Sequence, residues 1–321
     1  MARRVLVTGG AGFIGSHVAE AFAAAGDRVA VLDDLSAGKR AQVPPGAEFH
    51  ELDVGAAAAA EVVRTGRFDV ICHLAAQMDV RRSVADPRSD ARVNIDGTLN
   101  VLEAARAGGG RPRVLFASTG GALYGDLAEP PTAESAPKDP QSPYGVAKLS
   151  VELYLAYYGR VHGLDALALR FANVYGPRQD PHGEAGVVAI FCDRLLDAEP
   201  LTVFGDGRQT RDYVFVADVV RSVILAARAP IPPAGGLDTR AFNIGTGVET
   251  DVLTLARTLG DAAGTSARTV HAPARDGEQR RSAVRIDAAA RALDWRPDVP
   301  LARGLRDTYA WFAARRGALA R

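Results

Sequence analysis

The chain has 321 residues, with 38 Lys and Arg balanced by 38 Asp and Glu and 47% hydrophobic residues, enough for one large or two medium units around a real core. Balanced charge gives no reason to expect nucleic acid or an anionic membrane as partner, and two cysteines, Cys72 and Cys192, without metal-ligand spacing argue against a metal site or a disulfide framework. With no leader before the first apolar run and no run of membrane-spanning length, the expectation is a soluble, cytoplasmic protein.

The first expected strand, residues 3–8, runs straight into T-G-G-A-G-F-I-G-S (8–16) and an amphipathic segment carrying Phe13, Ile14, Val18 and Phe22. A strand that ends in closely spaced glycines and opens a helix is a dinucleotide-binding pattern. Around Gly9, the turn uses Gly10 for tightness, Gly12 for close approach to a pyrophosphate and Gly15 for helix–strand packing. The helix start then offers unpaired N–H groups to phosphate. The second strand, 28–32, ends at Asp33, with Asp34 beside it. A carboxylate there accepts from adenosine ribose hydroxyls and repels a 2′-phosphate, so NAD is expected over NADP, although Lys39 and Arg40 follow closely.

Further strands are expected at 48–52, 70–74, 113–117 and 167–171, with helices at 12–25, 57–64, 94–107 and 143–160. Strands that are apolar throughout and alternate with helices imply an α/β fold, a doubly wound parallel sheet covered on both faces. Beyond residue 173 the chain turns rich in Pro, Gly and Arg, and only Ala241–Ile244 reads as one more core strand. The expected division is a Rossmann dinucleotide domain (1–173 plus about 215–247) interleaved with a smaller mixed α/β substrate domain (about 174–214 plus 248–321).

Tyr144 and Lys148, in S-P-Y-G-V-A-K, lie four apart on an expected helix and share one face. An ammonium near a phenol favours the phenolate and makes tyrosine a usable general base and acid. The pair follows S-T-G-G-A-L-Y-G (118–125) at the end of a core strand, where open α/β sheets bind their ligands.

The glycine turn, H-L-A-A-Q (73–77), N-I-D-G-T (94–98), Y-x-x-x-K and R-F-A-N-V-Y-G-P-R (170–178) together resemble the extended short-chain dehydrogenase/reductase family, within it the NAD-dependent nucleotide-sugar epimerases. The resemblance extends through R-D-Y-V-F-V-A-D (211–218) and R-D-G-E (275–278). It implies C4 epimerisation of a UDP-sugar, interconverting the UDP-linked galactose and glucose through a transient 4-keto sugar and bound NAD. It assigns catalysis to Tyr144 and Lys148. It places Gly9, Gly12, Phe13, Ile14, Gly15, Asp33, Asp34, Leu35, Ser36, Asp53, Val54, Leu74, Ala75, Ala76, Gln77, Asn94 and Ser118 at the cofactor. Asn173, Arg178, Val188, Phe204, Arg211, Arg275 and Glu278 fall where the epimerases hold the nucleotide sugar, and a homodimer through helices 94–107 and 143–160 is implied. His73 is expected to pack at its strand end.

Two departures stand out. The family's serine or threonine, four residues before the tyrosine of V-Y-G, falls on Gly120, so the hydroxyl comes from Thr119 or Ser118 or is dispensable, and Thr119 is expected to supply it. The acidic pair that serves related 4,6-dehydratases is replaced by Gly121-Ala122, leaving no proton donor for water elimination. Ser282, seven residues after Arg275, is small enough to leave room for an N-acetyl group if it lies beside the sugar. A UDP-glucuronate 4-epimerase, with Arg81 or Arg178 pairing the carboxylate, is the alternative. A non-catalytic NAD-binding sensor is disfavoured by the retained Tyr144 and Lys148.

Overall fold

The computed structural model describes residues 2–126, 128–182, 186–275 and 279–319. The chain opens with β1 (Arg4–Thr8), α1 (Phe13–Ala24), β2 (Arg28–Asp33), β3 (Glu48–Glu51), α2 (Ala57–Thr65) and β4 (Val70–His73). Two short helices, α3 (Val80–Ala85) and α4 (Pro87–Ala91), lead through a wider, π-wound turn (Arg92–Asp96) into α5 (Gly97–Ala107). Then come β5 (Arg113–Thr119), α6 (Pro143–His162), β6 (Ala166–Phe171), β7 (Asn173–Tyr175), α7 (Val187–Leu196), β8 (Leu201–Phe204), β9 (Thr210–Arg211) and β10 (Tyr213–Phe215). The remainder is α8 (Val216–Ala226), β11 (Ala241–Ile244), β12 (Thr250–Asp251), α9 (Val252–Ala263), β13 (Thr269–Ala272), α10 (Asp287–Leu293) and α11 (Leu301–Leu319).

The main sheet is parallel throughout, in the order β11-β6-β5-β4-β1-β2-β3. This is the doubly wound arrangement expected, and every expected strand forms within two residues of its expected ends. Val5, Leu6, Val7, Val31, Ile71 and Cys72 are fully buried, as strands covered on both faces must be. One face carries Phe22 of α1 and Val219 of α8; the other carries Leu102 of α5 and Leu155 of α6. Strand order reverses between β1 and β4, the crevice where ligands of open α/β sheets bind.

The later part of the chain forms three two-stranded pairings, β7 with β10, β8 with β13 and β9 with β12. They pack with α7, α9 and α11 around Phe191, Leu255, Leu259 and Leu305. The apolar run around Cys192, helix-like in the sequence, forms α7, whereas helices α8 to α11 were not expected. Two further departures sit near the ligand crevice. The helix expected at 94–107 begins as the π-wound turn, and α3 and α4 precede it.

A tether joins the last segment to α8. Trp295 is fully buried, and its indole N–H donates to Asp218 O at 2.8 Å, while the Asp218 carboxylate accepts the backbone N–H groups of Asp298 and Val299, each at 3.0 Å. Truncating Trp295 opens a large cavity and orphans a carbonyl. Trp295→Ala is therefore expected to lower stability by about 3–5 kcal/mol, read as a shift in urea midpoint; a loss under about 1 kcal/mol would show the site to collapse freely.

Candidate active site

The glycine turn is dictated by collisions that any side chain would cause. A Cβ at Gly15 would lie 2.1 Å from Gly9 O, and one at Gly9 (φ +68) would lie 2.7 Å from Ala75 N. Gly12 differs: its Cβ would meet only Gly9 O, at 3.3 Å, so its backbone faces open space. Gly12 caps α1 with no side-chain hydrogen bond, which leaves the first N–H groups of the helix available.

Beside this turn lies a cleft of about 340 Å³. Gly9, Gly12, Phe13, Ile14 and Gly15 line one part of it, joined by Asp33, Asp34 and Ser36 after β2 and by Asp53 and Val54 after β3. Leu74, Ala75 and Ala76 follow from the end of β4. Ser118, Thr119, Tyr144 and Lys148 line the wall formed by β5 and α6, and Asn173 and Val188 close the far side.

Asp33 is buried, and its carboxylate accepts the backbone N–H of Ala11 and of Leu35, both at 2.9 Å. Burial pushes its carboxyl above the usual carboxylate value, against the pull of those two donors. It therefore braces the glycine turn as well as facing the cleft. Asp34 accepts from the N–H and hydroxyl of Ser36, and Asp53 from Gly55 N.

Lys148 is buried on α6. Its ammonium donates to Ala117 O at 2.9 Å and sits 5.7 Å from the centre of the Tyr144 ring. Desolvation lowers its pKa to about 8, with Asp90 and Glu152 opposing. The two neighbouring hydroxyls differ in their partners. Ser118 donates to Glu152 at 2.5 Å, whereas Thr119 Oγ accepts Ala122 N–H and keeps its own O–H to give. At Gly120 a Cβ would meet the Val284 side chain at 2.8 Å, so a side chain there would require Val284 to shift.

His73 is held out of the chemistry. Thr98 Oγ gives its hydrogen to Asn94 O, so His73 Nε2 donates to Thr98, and Nδ1 accepts from Thr8, which in turn accepts Ala75 N–H. Burial drives its pKa to about 3, and the ring stays neutral.

Several expected residues do not reach the cleft. Arg178, whose backbone is left-handed (φ +71), is turned onto α1, donating to Ser16 and to Glu20 at 2.7 Å. Gln77 and Asn94 bond each other and Asp90, so they brace the loop after β4 instead of lining the cleft. Leu35 contributes its backbone N–H to Asp33 and packs its side chain on the core. Phe204, Arg211 and Arg275 lie on the β8–β9 side, with the Arg275 guanidinium 3.7 Å over the Phe204 ring and Arg211 bonded to Thr210 O. Ser282 is buried and is not among the described residues that line the cleft. Glu278 lies outside the described residues.

Others line the cleft without having been singled out. Gly38 packs against Asp33, Met78 and Val93 flank the loop after β4, and Tyr213 and Gln179 border the far side. Gln179 Oε1 is buried and accepts no hydrogen bond among the described residues. No local pattern marks a glutamine in a Pro-rich loop.

A dinucleotide turn, a switch-point crevice and a Tyr–Lys pair on its wall define an NAD-dependent enzyme of the Rossmann type. The chain belongs to the NAD dependent epimerase/dehydratase family, whose pattern it matches over residues 5–245. The UDP-glucose 4-epimerase of Mycolicibacterium smegmatis is 44% identical over 314 residues, covering 96% of this chain and 98% of that protein. Among solved structures, the UDP-glucose 4-epimerase of Thermotoga maritima with UDP-glucose superimposes with a TM-score of 0.92 at 43% identity, covering 97% of this chain and 99% of the other. That of Thermus thermophilus in complex with NAD gives 0.89 at 42% identity, with coverage of 97% and 99%.

Because Asp33 faces the cleft and also braces the turn, Asp33→Ser is expected to weaken NAD binding and to narrow the gap between NAD and NADP together. Calorimetric titration with both cofactors tests this. Tighter NADP than NAD binding in the unmodified protein would overturn the assignment.

Proposed function

We propose that this chain interconverts UDP-glucose and UDP-galactose by inverting the sugar at C4, with NAD held in the cleft. The observation that carries the reading is the presence of Tyr144, Lys148 and Thr119 on one wall of the cleft that the glycine turn and Asp33 also line. The residues suit the cofactor. The start of α1, with no side-chain cap, would receive a pyrophosphate, the open backbone at Gly12 would let it approach, and Ala75 and Ala76, which line the cleft, would lie against the cofactor. When bound, NAD supplies the redox chemistry at C4.

In this reading Tyr144 takes the proton of the sugar 4-hydroxyl and later returns it on the other face of the ring. Lys148 favours the phenolate through its charge. Thr119 donates to the same sugar oxygen. Gly121 and Ala122 offer no acid to expel a hydroxyl from the 4-keto sugar, so it turns over and is reduced again instead of losing water.

The substrate part, about 174–214 plus 248–321, holds the nucleotide through Val188, Phe204, Arg211 and Arg275, joined by Asn173 at the end of the other part. The remainder, 1–173 plus about 215–247, holds NAD. Two arginines neutralise a diphosphate, in charge-assisted contacts worth about 1.5–3 kcal/mol each. The glucuronate alternative loses its support, since Arg178 is paired with Glu20 and Arg81 points into solvent beside Asp79. Buried free thiols at Cys72 and Cys192 fit a reducing cytoplasm.

The chain is read as a homodimer through α5 and α6. Val146, Leu153, Tyr157 and Val161 are exposed along α6 at intervals that place them on one stripe, and a second copy of this chain would cover it. Leu153→Glu is expected to yield monomers in sedimentation; an unmodified protein that sediments as a monomer would remove this part of the reading.

The activity is tested with purified protein given UDP-galactose, UDP-glucuronate and UDP-N-acetylgalactosamine separately, no cofactor added, and the C4 epimers resolved. Turnover of UDP-galactose is expected. Tyr144→Phe should cut it about 10²-fold or more with NAD and substrate still bound. Retention of more than about a tenth of the rate would take Tyr144 out of the base role.

A further inference from the structure

Lys148 is a cation buried among groups that are mostly neutral, and the question is which anion balances it. Around its ammonium, α6 contributes Tyr144 one turn earlier and Glu152 one turn later. Strand β5 contributes Ala117 O and the Phe116 ring, 4.6 Å away, and β4 contributes the neutral His73. From α4, which packs against α6, comes Asp90. Arg88 and Arg92, on either side of Asp90, point into solvent.

The two carboxylates are not equivalent. Glu152 is saturated by Arg170, which donates from Nε at 3.0 Å and from Nη2 at 2.6 Å, so that pair is neutral on balance. Asp90 is 1% exposed and has no cation bonded to it among the described residues: Oδ1 accepts the side-chain amides of Gln77, at 2.9 Å, and Asn94, at 3.0 Å. Its other oxygen, Oδ2, is buried and without a hydrogen-bond partner among the described residues. A buried carboxylate held only by neutral amides is costly unless a cation lies near enough to compensate it.

We propose that Asp90 is a positioning residue of the catalytic centre, supplying the counter-charge for the buried Lys148 ammonium while its Oδ1 pins Gln77 and Asn94 beneath the cleft. The two burdens cancel: the anion without a cation and the cation without a bonded anion sit on adjacent helices. Asp90 is also the larger of the two charges that oppose the desolvation of Lys148. The proposal rests on reading Tyr144 and Lys148 as the catalytic pair.

Asp90→Asn removes the charge and keeps an oxygen for both amides. Its alkaline limb of turnover is expected to fall about one pH unit below that of the unmodified enzyme, with NAD still bound. Asp90→Glu restores the charge and is expected to bring the limb back. A profile for Asp90→Asn that superimposes on the unmodified one, in folded and NAD-loaded protein, would overturn the proposal. If Asp90→Asn is too unstable to assay, thermal melts at neutral pH decide the matter. The double variant Asp90→Asn with Lys148→Met is expected to melt above Lys148→Met alone, since it removes a stranded anion. Additive losses would overturn the charge pairing. The melts do not depend on activity, so an unmodified protein inactive on every UDP-sugar would sink the catalytic reading and leave this test standing.

Discussion

Five elements at the carboxyl end of the sheet are held by one buried ion pair. Arg170, fully buried at the end of β6, uses every guanidinium hydrogen: toward Glu152 of α6, the Tyr124 hydroxyl and Glu134 O after β5, and Asp238 before β11. Asn243 of β11 accepts from Tyr124 and donates to Thr132 O and Arg285 O, extending the network to the last third of the chain. A buried pair of this kind adds little net stability over an apolar equivalent, yet removing one partner costs about 3–5 kcal/mol. What it contributes here is placement. By taking the Ser118 hydroxyl, Glu152 fixes the end of β5 so that the next side chain, Thr119, turns into the cleft.

The cofactor half was legible because its constraints are local. Gly9 and Gly15 are forced by backbone collisions within a few residues and with the end of β4, so composition alone betrays the turn. Tyr144 and Lys148 were legible because helical spacing by itself puts them on one face. Asp33 was read correctly as facing the cleft, but its brace on Ala11 depends on a hydrogen bond that only the folded turn creates.

The rest depended on distant partners. Arg178 looked like a contact to the nucleotide sugar, and its partners Ser16 and Glu20 lie near the other end of the chain. Gln77 and Asn94 belong to motifs that mark the cofactor region, yet they bond to each other and to Asp90. Asp90 in turn looks like any solvated acid on a short polar helix. Arg170 and Glu152 carry charges in segments otherwise apolar, and a pattern that counts hydrophobic periods has no way to register a charge that is neutralised across the sheet.

The order of the sheet also bears on how the chain is made. Strand β6 ends at Phe171, but its outer neighbour β11 begins only at Ala241, after all of the intervening chain has been synthesised. Until then β6 is an open parallel edge of six buried residues, without Asp238 to complete Arg170. A ribosome-bound chain therefore carries a nearly finished sheet with one sticky border. No cut between β6 and β11 would release a piece of the chain whose sheet has both borders in their native state.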